Sequence, residues 1–168
     1  LVSTNLSNFV PMNSNGYIEA DKMPTDLKGL SRLQKVLDQR KKYSSHVTSK
    51  LISAYSKNDK LDMAFERINF VLQSDKVFKI HESALADYVK ACIRREQYEK
   101  ALSFFILLDE NSNSLAISGK YFSMYVDFIV ALAQKGQHEK VIKLIKSIDI
   151  DKTKSRNGHD NDAKAILA

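Results

Sequence analysis

The chain has 168 residues, of which 43% are apolar and 27% charged, which is the composition of an ordinary globular protein. Its 26 basic and 20 acidic residues give a net charge of +6. Five glycines and two prolines are too few for the turns of an all-β protein, and the single cysteine, Cys92, excludes a disulfide framework or a cysteine-rich zinc site. No apolar run approaches the roughly 20 residues that span a membrane.

The chain begins with a segment that predicts an irregular arm. Residues 1–25 are polar, rich in Asn and Ser, and contain Pro11, Gly16 and Pro24, which break regular structure. The next segment, about 26–42, carries leucine and valine at the spacing of one helix face and predicts a helix. This helix is either the second helix of a preceding unit or a cap.

Three later segments repeat one another and organise most of the chain. Residues 51–68, 88–105 and 128–145 align without a gap, with Ala54, Ala91 and Ala131 coinciding. Each unit predicts two antiparallel helices, because small residues allow the helices to approach and apolar residues then recur at helical spacing. The predicted hairpins are about 46–73, 83–110 and 120–148.

Stacking of these hairpins predicts an all-α solenoid over residues 26–148, with the first helices lining one surface and the second helices the other. Residues 149–161 predict a polar linker and 162–168 the start of a truncated further helix, so we expect a longer protein. The second helices should bury one apolar stripe, which consists of Leu61, Ala64, Phe65, Ile68, Tyr98, Ala101, Leu102, Phe105, Val141, Ile142 and Ile145. We expect Ser56 to lie off the core-facing stripe and His138 to be partly buried.

The sequence resembles the pentatricopeptide repeat (PPR) family. The stretch Val47 to Lys57, followed by Leu61 to Phe65, is similar to the consensus hairpin of that family, and Tyr88 to Ala91 with Tyr98 to Leu102 is a second match. The third unit, 124–148, is looser. The tetratricopeptide family is the rival, although its small residues lie two positions further apart than the ten that separate Ala54 from Ala64.

This resemblance implies single-stranded RNA binding in the mitochondrial matrix, with one base read per repeat by the first helices. It implies roles for the following residues: Val47, Ala84 and Met124 pack beside bases; Lys50, Asp87 and Asp127 read bases; Phe122 is near the partner reading position; and Lys57, Arg94, Arg95 and Lys135 contact phosphates. The family usually has Asn, Ser or Thr at the reading position. Because carboxylates there would repel phosphate, binding dominated by the RNA backbone is favoured.

Charge gives an independent indication of the same partner. Residues 26–60 carry nine basic and three acidic residues, and Arg40, Lys41 and Lys42 form a candidate basic patch that would attract a polyanion. The four histidines share no metal-ligand spacing with Cys92 or with a carboxylate cluster. We therefore expect no metal, cofactor or catalytic site, although a catalytic domain elsewhere in a longer protein is left open.

The predicted function is RNA binding in the processing, stability or translation of organellar transcripts, with possible protein partners in a ribonucleoprotein assembly. The alternative is a scaffold for protein–protein interaction, such as a helical-repeat subunit of the mitochondrial ribosome. The departures at the reading positions favour the scaffold, whereas the family resemblance and the basic segment favour RNA.

Overall fold

The computed structural model describes residues 18, 23–74, 80–111 and 121–147. Within these ranges the helices are α1 (Leu27–Gln39), α2 (Ser45–Lys57), α3 (Leu61–Gln73), α4 (Glu82–Arg94), α5 (Tyr98–Glu110), α6 (Tyr121–Gln134) and α7 (His138–Ser147). The predicted all-α solenoid of three hairpins with an additional N-terminal helix is confirmed. Most of the arm predicted at 1–25, and all of segments 149–161 and 162–168, lie outside the described residues.

Side-chain caps fix where the first two helices begin. The carboxylate of Asp26 accepts a hydrogen bond from the backbone N–H of Gly29 at 2.9 Å, and the Ser44 hydroxyl accepts one from the N–H of Val47 at 3.3 Å. Such caps satisfy backbone donors that have no partner within the helix. The two helices therefore start where short polar side chains precede an apolar stripe.

The four turns that follow α1, α2, α4 and α6 share one backbone geometry. Each contains a residue with positive φ, namely Lys41 at 51°, Asp59 at 56°, Glu96 at 54° and Gly136 at 69°. At the second hairpin, the N–H of Gln97 donates to the Cys92 carbonyl at 2.8 Å and that of Glu96 to the Ile93 carbonyl at 3.0 Å. This is the Schellman pattern, in which glycine is preferred at the left-handed position.

The hairpins stack in two layers. The first helices α2, α4 and α6 pack side by side, the second helices α3, α5 and α7 do the same, and α1 packs against α2. Aromatic rings fill the space between the layers, since Tyr88, Phe104, Phe105 and Phe128 have no exposed surface. The ring centroids of Tyr88 and Phe104 are 5.5 Å apart in an edge-to-face arrangement, which adds to the gain from burial.

The apolar stripe is buried as predicted in the first two hairpins and departs from the prediction in the third. Ala64 and Ala101 are fully buried, whereas Ile142 is 53% exposed and Leu144 takes a buried place. Ile142 aligns with Phe65, which is covered by Tyr88 of the following hairpin. No described helix follows α7, so the corresponding face of α7 is left open.

Two further expectations about burial are wrong. Ser56 is fully buried, because the next hairpin covers it: Arg94 of that hairpin donates to the Ser56 carbonyl at 3.2 Å. Its hydroxyl donates to the Ile52 carbonyl at 2.8 Å, so burial leaves no unpaired polar group there. His138 is exposed, because it begins α7, the last described helix.

Candidate nucleic-acid interface

The structure spreads the basic residues of segment 26–60 over α1, α2 and the two ends of the solenoid. The turn end of the solenoid consists of the turns within the hairpins, residues 58–60, 95–97 and 135–137, and the loop end consists of residues 40–44 and 80–81, which precede α2 and α4. Helix α2 has 13 residues, and at 1.5 Å per residue it holds the two ends about 20 Å apart. Lys57 and Lys60 therefore lie at the turn end, and the candidate basic patch of Arg40, Lys41 and Lys42 lies at the loop end.

The resemblance assigns four cations at the ends of first helices to phosphate contact. Three of them already face a carboxylate, and Arg95 is the exception. Arg94 pairs with Asp59 at 2.6 Å, Lys135 with Glu96 at 2.9 Å and Lys57 with Asp87 at 3.4 Å. In each pair the two residues come from consecutive hairpins. The turn end is therefore a set of inter-hairpin ion pairs rather than a row of free positive charges.

The protonation of these groups agrees with that geometry. Hydrogen bonding to Arg94 lowers the pKa of the Asp59 carboxyl, and the positive charges of Arg94 and Arg95 act in the same direction. The hydrogen bond to Glu96 raises the pKa of the Lys135 ammonium. Both shifts favour the charged forms, and the paired carboxylates reduce the positive potential that a phosphate would meet at the turn end.

Residues expected to pack beside bases belong to the core instead. The exposed fractions of Val47, Ala84 and Met124 are 0%, 2% and 3%. Each lies in the first turn of a first helix and is buried in the hydrophobic core. A base cannot contact these side chains unless their neighbours move, so the structure assigns them to packing.

The three predicted reading positions lie in different environments. Lys50 is half-buried on α2 and Asp127 is exposed on α6, and neither forms an ion pair with a residue that the structure describes. Asp87 accepts a hydrogen bond from the Ser53 hydroxyl in addition to its ion pair with Lys57. Asp87 therefore ties α4 to α2. Phe122 lies within α6, but its side chain is outside the described part.

Among the described residues, three adjacent cations at the loop end have no carboxylate partner, whereas at the turn end Arg95 and Lys60 stand unpaired among paired cations. Arg40, Lys41 and Lys42 are exposed, and within the described ranges none of them forms an ion pair. The predicted basic patch is therefore accessible, and its contact with RNA stays a prediction. Because unneutralised surface cations attract a polyanion more strongly than paired ones, the loop end is the more favourable of the two ends for phosphate.

Sequence reasoning missed two histidines at the loop end. His46 is in the first turn of α2, and His81 immediately precedes α4; their ring centroids are 5.4 Å apart. Partial burial lowers the pKa of His46, and the nearby Lys50 and His81 lower it further. Their separation of 35 residues, close to one repeat length, was the only signal in the sequence that could have paired them.

A groove with exposed apolar side chains runs beside the loop end. Tyr43, Met63 and Phe70 are 39%, 45% and 46% exposed, and they line a cavity of about 530 Å³ together with Asp38 and Arg67. Arg67 pairs with Asp38 at 2.9 Å, and its guanidinium lies 5.2 Å from the centre of the Phe70 ring. The groove presents aromatic and aliphatic surface beside the Arg67–Asp38 ion pair, and the exposed carboxylate of Glu66 also lines it.

No catalytic or metal centre is visible in residues 18, 23–74, 80–111 and 121–147. Cys92 is fully buried, and burial raises the pKa of its thiol to about 11, which keeps it protonated. Over the same ranges no three His, Cys, Asp or Glu side chains are placed to hold a metal ion. Nor does any helix there have the length and apolarity needed to cross a membrane.

Comparison with protein families identifies the first hairpin. A family model described as PPR repeat matches residues 49–69, which run from the first half of α2 into α3 and include Lys50 and Lys57. Comparisons with curated proteins and with solved structures found no match. The resemblance inferred from the sequence is therefore confirmed at this hairpin: the chain is a helical-repeat protein whose first hairpin matches the pentatricopeptide repeat model.

Proposed function

We propose that this chain binds single-stranded RNA along its first helices and the loop end, without chemically converting it. The match to a pentatricopeptide repeat at residues 49–69 is the observation that carries this proposal, since repeats of this kind read single-stranded RNA. In the matched hairpin, Lys50 lies partly exposed on a first helix with no ion-pair partner among the described residues. Its ammonium is free to contact RNA.

The distribution of charge supports contact with the RNA backbone more than base reading. Asp87 is held by Ser53 and Lys57, so its carboxylate is not free to read a base. Arg40, Lys41 and Lys42 present three exposed cations, and contacts of this type supply affinity that does not depend on sequence. We therefore expect the affinity for RNA to fall steeply with salt concentration and to differ little between RNA sequences.

The process in which this binding acts is part of the proposal. We infer a role in the processing, stability or translation of organellar transcripts in the mitochondrial matrix, and the support for it is the resemblance to the repeat family. Microscopy of the tagged full-length protein, with protease protection of isolated mitochondria, tests the location. A protein confined to another compartment would refute this part of the proposal and leave RNA binding to be judged separately.

The direct test measures binding of labelled single-stranded RNA by fluorescence anisotropy at several salt concentrations. The variant Arg40→Gln/Lys41→Gln/Lys42→Gln removes three loop-end charges. If each contacts one phosphate, the slope of log affinity against log salt becomes shallower by about 2, at about 0.7 for each contact on a single strand. Circular dichroism establishes that the variant is folded.

A matched control separates a specific surface from net charge alone. Lys28→Gln/Arg32→Gln/Lys35→Gln removes the same charge from exposed positions of α1, which belong neither to a first helix nor to the loop end. We expect a smaller effect on affinity and on the salt slope. Equal effects would indicate attraction by net charge alone, and a folded full-length protein without RNA affinity at low salt would refute RNA binding.

The apolar groove favours a second candidate, a scaffold that binds a protein partner. Tyr43, Met63 and Phe70 together expose apolar surface of the type found in protein-binding sites. In that case Phe70→Ser would weaken the association of the full-length protein with its assembly in sedimentation and leave RNA affinity unchanged. Loss of RNA affinity with intact assembly would favour the RNA-binding function instead.

A further inference from the structure

Two consecutive hairpins bring a pair of imidazoles together at the loop end. The rings of His46 and His81 have centroids 5.4 Å apart and planes inclined at 47°. Both residues are exposed. Within the described ranges, neither ring forms an ion pair with a carboxylate or donates a hydrogen bond to another side chain. The two rings therefore offer their nitrogen atoms to a ligand from solvent.

The backbone of His81 is held against the preceding hairpin. The N–H of His81 donates to the Ser49 hydroxyl at 2.8 Å, and Ser49 is 2% exposed, so the residue that precedes α4 is attached to α2. Lys50 follows His46 by one helical turn, and residues four apart lie on the same face of a helix. The hairpin stacking thus brings together two imidazoles and one ammonium.

These three groups repel one another once the imidazoles are protonated. Both Lys50 and His81 lower the pKa of His46, after the larger effect of partial burial. Glu82, the first residue of α4 and the neighbour of His81, forms no ion pair with either histidine. With both imidazoles protonated, the cluster carries three positive charges against this one carboxylate, and a bound anion would offset the excess.

We propose that His46, Lys50 and His81 form a phosphate-binding site for the RNA backbone at the loop end. The proposal rests on the RNA-binding function and adds ligands that the family resemblance does not assign. Protonated imidazole and ammonium groups donate charge-assisted hydrogen bonds, which phosphate oxygens accept. His46 and His81 lie at the opposite end of the first helices from the paired cations Lys57 and Arg94.

The site makes RNA affinity dependent on pH. A bound phosphate stabilises the protonated imidazoles and so raises their pKa above the value in the free protein. The resulting gain in affinity is complete below the pKa of the free protein and disappears as pH rises through the pKa of the complex. A rise of one pKa unit at one histidine corresponds to a tenfold change in affinity, so we expect binding near pH 5.5 to be tighter than near pH 8 by about tenfold for each histidine whose pKa rises by one unit.

The experiment measures the affinity for labelled single-stranded oligouridylate at about pH 5.5, 6.5 and 8, which spans the titration range of histidine. The wild-type protein is compared with His46→Gln/His81→Gln, which keeps polar side chains at both positions. His138→Gln is the matched control, since His138 is exposed at the turn end. The double variant should lose most of the gain at low pH, and the control variant should retain it.

A second measurement does not depend on RNA. The imidazole protons of His46 and His81 are titrated by NMR with and without inorganic phosphate, and phosphate should raise both pKa values and leave that of His138 nearly unchanged. If neither pKa rises, or if the double variant keeps the full pH response to RNA, the site is refuted while RNA binding stands. If phosphate raises both values and no RNA binds at any pH, the site stands as an anion site and the proposed function fails.

Discussion

The substitution Ala101→Leu tests the packing on which the whole solenoid depends. Ala101 is fully buried in α5 within the second hairpin. Leucine adds three carbon atoms where there is no exposed surface to receive them, and overpacking of this kind costs about 1–3 kcal/mol. For a chain of this size each kcal/mol lowers the thermal midpoint by about 2–4 °C, so we expect a decrease of about 2–12 °C.

The assay is thermal unfolding followed by circular dichroism, with urea unfolding as a second measure. Ser103→Leu is the control, because Ser103 lies in the same helix with its side chain exposed and surface substitutions usually change stability by less than about 0.5 kcal/mol. An unchanged midpoint for Ala101→Leu would mean that the two helices of the hairpin are not held closely at this residue. The alignment of the repeats would then be wrong.

Three further substitutions or treatments test other contacts. Asp87→Ala removes the acceptor of the Ser53 hydrogen bond and the partner of Lys57, and urea unfolding should show a loss of about 1–2 kcal/mol, with Asp87→Asn losing less. Gly136→Ala should cost about 1 kcal/mol in the same assay, because the residue has a φ of 69° while an added Cβ meets no atom within 4 Å, so the cost is conformational. Cys92 is buried with its pKa raised to about 11, so iodoacetamide should modify the native protein far more slowly than the urea-unfolded protein at every pH from about 7 to 9; equal rates would contradict the burial.

Local periodicity was sufficient to predict the helices and their pairing. The repeated alanines and the polar turns mark each hairpin because both reflect contacts within about 40 residues of sequence. Burial of individual residues was harder to predict, since it depends on the neighbouring repeat. Ser56 is covered by Arg94 of the next hairpin, and a sequence pattern confined to one helix carries no information about that cover.

The candidate site could be predicted only in part for the same reason. The exposure of Arg40, Lys41 and Lys42 agrees with their polar context. In contrast, the ion pairs of Lys57 and Lys135 depend on the register between hairpins, which brings residues 30 and 39 positions apart into contact. A charge count over a linear segment treats every cation as free, whereas stacking decides which of them remain available.

Charge joins consecutive hairpins mainly along one edge of the solenoid. Besides the pairs at the turns, Lys100 contacts Asp62 and Lys140 contacts Glu99 at 3.2 Å, all within the first turns of second helices at the turn end. Such exposed pairs weaken as salt screens them. Because each hairpin of a solenoid contacts only its neighbours, the loss at each interface changes the angle between two consecutive hairpins. Higher ionic strength should therefore relax the turn edge and alter the superhelical curvature. The salt dependence of RNA affinity would then include a change in the curvature of the protein as well as the release of counterions from the RNA.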